Sequence, residues 1–190
     1  MRYAVCPHPC RHTDPRPQEC GEQLAAAAGV CVCLDGAMTM QGDYVPSPRG
    51  WVREQVEKIA ETGTTRSVHI MNRPVVLLTM RGLSGKIRKV PLMRVEHDGV
   101  YAAVASQGGA PEHPKWYANL RKNPMIELQD DTRSWTARAR EVEGAEREEW
   151  WPRCVEAFPP YAEYQKKTER LIPVFVLEPV ECAEDAAPSA

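Results

Sequence analysis

The sequence predicts a mainly β, α+β domain in which an antiparallel sheet curls toward a barrel. Three observations carry that expectation. Apolar or alternating runs of strand length recur from Pro74 onward. Short turn signals join them, Asp98-Gly99 being the strongest. The helical patterns enter late and do not alternate with the strands, which argues against a parallel βαβ sheet.

The elements follow in order. Residues 1–40 form a Pro-, Cys- and Ala-rich arm without a period, expected to be disordered. The domain is expected over residues 41–181, with 182–190 as a tail. Within the arm, CPHPCRH (Cys6–His12) suggests a metal, but Pro7 and Pro9 stiffen the chain and no C-x-x-C knuckle is present. Cys6, Cys10, Cys20, Cys31 and Cys33 are therefore expected as reduced thiols, with no metal site. The apolar run Leu24–Leu34 follows Glu19 and Glu22 rather than a basic flank, so it does not read as an export signal. Met38 and Met40 stand where the domain begins, and the arm reads as a leader ahead of a later start.

Ser47–Gly63 opens on Ser-Pro and stops at Gly, and Trp51, Val52, Val56 and Ile59 recur at helical spacing. Pro74–Met80 is a buried strand. Lys89–His97 alternates, turns at Asp98-Gly99 and returns as Val100–Ser106. Gly108-Gly109 ends that strand, and His113-Pro114 opens a short helix. Met125–Gln129 and Ser134–Glu141 form a hairpin across Asp130-Asp131. EGAEREEWWPRCVEAF reads as a helix interrupted at Pro152, Tyr161–Arg170 as another helix, and IPVFVLEPV as the last strand.

A net charge of −2 over 190 residues argues against a bulk nucleic-acid binder. No apolar stretch approaches the roughly 20 residues that span a bilayer, so a soluble, cytoplasmic protein is expected. Against that balance, RGLSGKIRKVPLMR (Arg81–Arg94) holds five cations and no acid. A basic, Gly-containing turn between strands offers N–H groups and cations together, as an anion requires. No nucleophile elbow, H-E-x-x-H, Walker loop or Ser-His-Asp neighbourhood is present, so an enzyme of this sequence would take its reactive atom from a cofactor. Val104–Asn119 adds a glycine pair and a helix N-terminus, which favour an anion. Tyr161 and Tyr164, at i and i+3, form a pair whose rings are expected to flank a planar molecule.

GLSGKIRKVPLMRVEHDGVYAAVASQGGAPEHPKWYANLRKNP and WWPRCVEAFPPYAEYQKKTERLIPVFVLEP together resemble the deazaflavin-dependent nitroreductase family of actinobacteria, over Val75–Pro179. The resemblance implies a split β-barrel of the FMN-binding-like kind. It also implies coenzyme F420 (8-hydroxy-5-deazaflavin), a hydride carrier with a phosphate and an oligoglutamate tail. By position, Gly82, Leu83 and Ser84, with Lys86, would lie at the phosphate turn. Arg88, Lys89, Val90, Pro91, Leu92 and Met93 would follow the coenzyme, and Val104, Ala105, Ser106 and Gln107 with Lys115, Trp116, Tyr117, Ala118 and Asn119 would complete the groove. Tyr161 and Tyr164 match the family's substrate-facing tyrosines. Departures stand at Gln107, where many relatives carry Lys, at Met93, where an aromatic is usual, and at Phe158, where a Tyr is usual.

The expected reaction is hydride transfer from reduced F420 to a planar electrophile such as a quinone, an enone or a nitro compound, with Tyr161 or Tyr164 donating to the acceptor oxygen. An FMN-dependent reductase, a non-catalytic deazaflavin carrier and a metal-binding regulator are the alternatives. The partner is a small molecule, no nucleic acid and no stable membrane insertion are expected, and the chain is a monomer or homodimer. The helix Trp51–Glu61 is expected to pack on the barrel, because Glu54 and Glu57 match Arg53 and Lys58, with peripheral contact at the inner membrane face as the alternative.

Overall fold

Every residue from Val75 to Met80 is buried, the mark of a strand covered on both faces. The computed structural model describes residues 40–180 and the backbone of two short strands before them, β1 (Cys33–Leu34) and β2 (Ala37–Met38). The expectations for the Cys-rich arm and the C-terminal tail lie outside the described residues. Val75–Met80 is the centre of β4 (Arg73–Arg81). Val76, Leu78 and Met80 face the barrel interior with Ile126, Leu128, Phe175 and Leu177. Val75 and Leu77 face outward onto Val52, Val56 and Ile59 of helix α1 (Gly50–Thr62). Trp51 lies off that buried face and is 48% exposed. The helix stops at Gly63, whose φ of 73° lets its N–H bond the Ile59 carbonyl.

The remaining strands are β3 (His69–Ile70), β5 (Ile87–Met93), β6 (Glu96–His97), β7 (Val100–Val104), β8 (Met125–Asp130), β9 (Arg133–Val142) and β10 (Val174–Pro179). The sheet runs β3-β4-β8-β9-β10-β7-β6, antiparallel throughout, with β5 along β4 opposite β8. It is a split β-barrel, as the resemblance implied.

The expected single strand Lys89–His97 is divided at Arg94–Val95, for a reason that lies in closure. Its first half pairs with β4, from Arg81↔Ile87 to Val75↔Met93. Its second half pairs with β7 through His97↔Val100 and a bond from the Ala102 N–H to the Val95 carbonyl at 2.9 Å. One bent strand thus joins the two edges of the sheet. Among the described residues no strand pairs with the β7 edge opposite β10 beyond Ala102, or with the outer edge of Lys89–Met93, so the barrel stays split where β7 ends.

Helix α2 (Lys115–Lys122) plugs the interior with Leu120, Trp116 and Tyr117. Helices α3 (Gly144–Ala157) and α4 (Pro160–Lys166) cover the outer face of β7 and β10, packing Trp150, Cys154, Phe158 and Tyr161 on Val104, Val174 and Val176. Two boundaries differ from expectation. Helix α3 runs through Pro152 without a break. Helix α4 ends at Lys166, because the Gln165 side chain accepts from the Ile172 N–H and donates to the Arg170 carbonyl (2.9 Å each), turning the chain into β10. No described helix is long and apolar enough to cross a membrane.

Candidate active site

β4, β7 and β9 end, and β5, β8 and β10 begin, at the split end of the barrel. The basic turn, the loop after β7 and helix α2 therefore meet there. The turn is tight: Gly82 N–H bonds the Lys86 carbonyl at 2.8 Å and Gly85 N–H the Gly82 carbonyl at 2.9 Å, with Gly85 at φ 79°. Asn119 Oδ1 accepts from the Leu83 N–H at 3.1 Å, and Asn123 Nδ2 donates to the Arg81 carbonyl at 3.0 Å. These two asparagines pin the turn to α2. Lys115, Ala118 and Asn119 occupy the outward face of that helix. Trp116 and Tyr117 turn inward onto Phe175, at ring separations of 6.3 and 5.6 Å.

Strand alternation divides the β5 residues between two faces. Arg88, Val90 and Leu92 pair with Met80, Leu78 and Val76 and share their inward face. Lys89, Pro91 and Met93 point outward, and Met93 joins Val104, Phe158 and Tyr161 in the outer apolar cluster. The β5 residues named from the resemblance therefore do not form one wall.

The cations of the turn already have partners. Lys86 Nζ meets Asp43 Oδ2 at 2.5 Å, Arg81 donates to the Gly85 and Gln41 carbonyls (2.8 and 2.9 Å), and Arg88 donates to the Val45 carbonyl at 3.1 Å. Lys89 stands 5.7 Å from the centre of the Tyr44 ring. The strap Gln41–Val45 lies along the start of β5, with Ile87 N–H bonded to the Asp43 carbonyl and Val45 N–H to the Ile87 carbonyl. Asp43 supplies the acid missing from the basic run, from a position no local pattern reveals.

After β7, Val104, Ala105 and Ser106 are buried, and Gln107, Gly108 and Gly109 follow at φ 48°, 70° and 84°. Successive left-handed residues turn N–H groups outward, and the amides of Gln107 and Gly108 have no backbone acceptor among the described residues. Arg170, which the sequence reading passed over, packs beneath this loop.

Tyr161 and Tyr164 meet edge to face, 6.3 Å apart at 69°, so the expected slot between their rings is not formed. Neighbours on a short helix with Phe158 beside them pack against each other instead, and Tyr161 is only 5% exposed. Burial pushes its hydroxyl well above the ordinary tyrosine range, so it remains protonated. Tyr164 is half-buried.

A separate cleft of about 300 Å³, lined by Thr65, Arg66, His69, Arg94, Asp130 and Asp131, lies at the opposite end. Its charges are paired, Arg66 with Asp131 and Arg94 with Asp130, each at 2.8 Å. The split end differs in offering the amides of Gln107 and Gly108, free of backbone acceptors among the described residues, and the exposed Ser84 hydroxyl. Beside them stand cations held mostly by carbonyl or ring partners rather than by acids, and this set suits an acceptor-rich anion. Among the described residues no cluster could hold a metal ion.

The family model described as F420H(2)-dependent quinone reductase matches residues 51–179. The chain belongs to that family. A solved structure described as an F420-H2 dependent reductase (FDR-A) is 58% identical and covers 58% of this chain and 99% of its own, with a TM-score of 0.54. Another, described as a domain-swapped dimer, is 59% identical and covers 70% of this chain and 100% of its own, with a TM-score of 0.56. Rv3178 of Mycobacterium tuberculosis is 37% identical over 107 residues, 56% of this chain and 90% of that protein. The F420H(2)-dependent quinone reductase Rv1261c of the same species is 32% identical over 108 residues, 55% and 72% of the two chains. Family membership makes this protein an oxidoreductase that uses coenzyme F420 and reduces a quinone.

Proposed function

We propose that this reductase holds F420 along the split of the barrel and meets its acceptor beside α4. The observation that carries the reading is the meeting, at one barrel end, of the cationic turn with a loop whose amides point outward. Bound there, F420 supplies a hydride from its reduced deazaflavin ring. Lys86, Arg88, Lys89 and Lys115, with the Gly82–Ser84 turn, answer the phosphate and the glutamate carboxylates. Gln107, neutral where by the resemblance many relatives carry Lys, weakens that grip on the tail. Pro91, Met93 and the buried Val104–Ser106 wall keep water from the ring. The half-buried Tyr164 donates its hydroxyl proton in a hydrogen bond to the acceptor oxygen as negative charge grows there, with the buried Tyr161 bracing it.

Leu83, 64% exposed at the tip of the turn, and Trp51 favour a quinone carried at the inner face of the membrane, reached from the cytoplasm. Nitro compounds are the second acceptor class. A domain-swapped relative favours a homodimer over a monomer.

The test reverses charge at two positions that touch neither tyrosine, Arg88→Glu with Lys89→Glu. Titrating coenzyme against intrinsic tryptophan fluorescence is expected to show binding weakened by a hundredfold or more, on the order of two oriented charge contacts. Turnover is followed with quinones of short and long isoprenoid tails in vesicles, and with a nitroarene. Unchanged coenzyme affinity in the doubly altered protein overturns the site.

A further inference from the structure

We infer that Arg170 is a positioning residue that aims the amide face of the Ala105–Ala110 loop at the coenzyme. The inference rests on the coenzyme site proposed above. Arg170 donates through Nη2 to the carbonyls of Ala105 (3.1 Å) and Ser106 (3.0 Å), and through Nε to that of Ala110 (3.0 Å). Its Nη1 lies 3.3 Å from His113 Nδ1. A guanidinium only donates, so His113 accepts through Nδ1 and carries its proton on Nε2. One cation therefore gathers three carbonyls of a single short loop.

The consequence follows from peptide geometry. In a trans peptide the N–H lies antiparallel to the carbonyl of the same unit. The Ser106 carbonyl turned onto Arg170 thus sends the Gln107 N–H the opposite way, out of the protein's own hydrogen-bond network. The left-handed run Gln107–Gly109 would be costly for Gln107 without such a clamp. Arg170 is itself held, since its carbonyl accepts from Gln165 Nε2 at 2.9 Å. On its other side the loop is wedged against α4, where Gly109 leaves no room for a side chain beside the Tyr164 carbonyl. Arg170 accordingly ties the helix bearing Tyr164 to the loop facing the coenzyme, without touching either reactant.

Arg170→Ala and the milder Arg170→Lys test this. Lysine keeps the charge and has three donors, but not the planar fork that reaches separated carbonyls. Both variants are expected to speed hydrogen–deuterium exchange in coenzyme-free protein at Gly109 and Ala110, whose N–H groups bond the Ser106 and Gln107 carbonyls within the loop. Both are expected to raise the F420 dissociation constant and KM, by about tenfold for alanine and less for lysine, one oriented contact being worth roughly that factor. The kcat at saturating coenzyme is expected to stay within about twofold, which a general loss of stability would not spare. Parent-like loop exchange and coenzyme affinity in Arg170→Lys, or in folded Arg170→Ala, overturn the inference. If the Arg88 and Lys89 reversal abolishes binding while the Arg170 variants bind as the parent does, this inference alone fails. If that reversal leaves binding intact, the site itself is wrong.

Discussion

A Cβ placed on Gly109 would stand 2.7 Å from the Tyr164 carbonyl oxygen and 3.1 Å from its Cα. Both are backbone atoms, so nothing can swing aside. The φ of 84° adds the cost of a left-handed alanine. Gly109→Ala is therefore expected to destabilise the fold by about 2–4 kcal/mol, combining overpacking with strain. Gly63 is the control, since it shares the left-handed backbone (φ 73°) but has no atom within 4 Å of its would-be Cβ. Gly63→Ala is expected to lose only about 1 kcal/mol. Urea unfolding of the pair measures the difference, and equal losses would remove the close approach as a constraint. At this scale the sequence was partly readable. Gln-Gly-Gly signals a loop, but the partner that makes Gly109 obligatory sits in a later helix. Arg170 gave no signal at all, because its role comes from carbonyls that only tertiary structure brings to it.

Elements were most legible where local pattern and burial agree. β4 reads as buried because α1 covers one face and the barrel interior the other. The Asp98-Gly99 hairpin forms because both residues take positive φ, at 50° and 79°. The Met71-Asn72 hairpin needs the same conformation, yet methionine does not announce it. Pro152 misleads in the other direction. Its ring removes the N–H that would reach Glu148, but Glu148 is exposed and water can serve its carbonyl. Trp150 and Cys154, 7% and 0% exposed, pack on either side of the proline, and their burial carries the helix through. Replacing this proline should accordingly help. Pro152→Ala is expected to stabilise the protein by about 2 kcal/mol, the roughly 3 kcal/mol penalty of an interior proline less the unfolded-chain entropy that proline suppresses. A lowered melting temperature would show that the proline's shape is needed.

For the whole molecule, motifs told which segments meet but not which faces they present. The resemblance laid Arg88 to Met93 along one ligand, whereas alternation in β5 sends neighbours to opposite sides. The bend at Arg94–Val95 was invisible because it answers to β7, not to its own residues. That bend leaves a row of peptide groups on β5 without a ladder. The Arg94 N–H bonds back to Pro74 while the Ile87 N–H bonds away to Asp43, so the odd-numbered residues aim their amides at the gap. Pro91 is one of them, and it has no N–H to offer. A stray strand arriving at this margin finds a missing rung in the middle and a lysine two residues before it. The barrel can keep its mouth ajar for a ligand without becoming a template for aggregation.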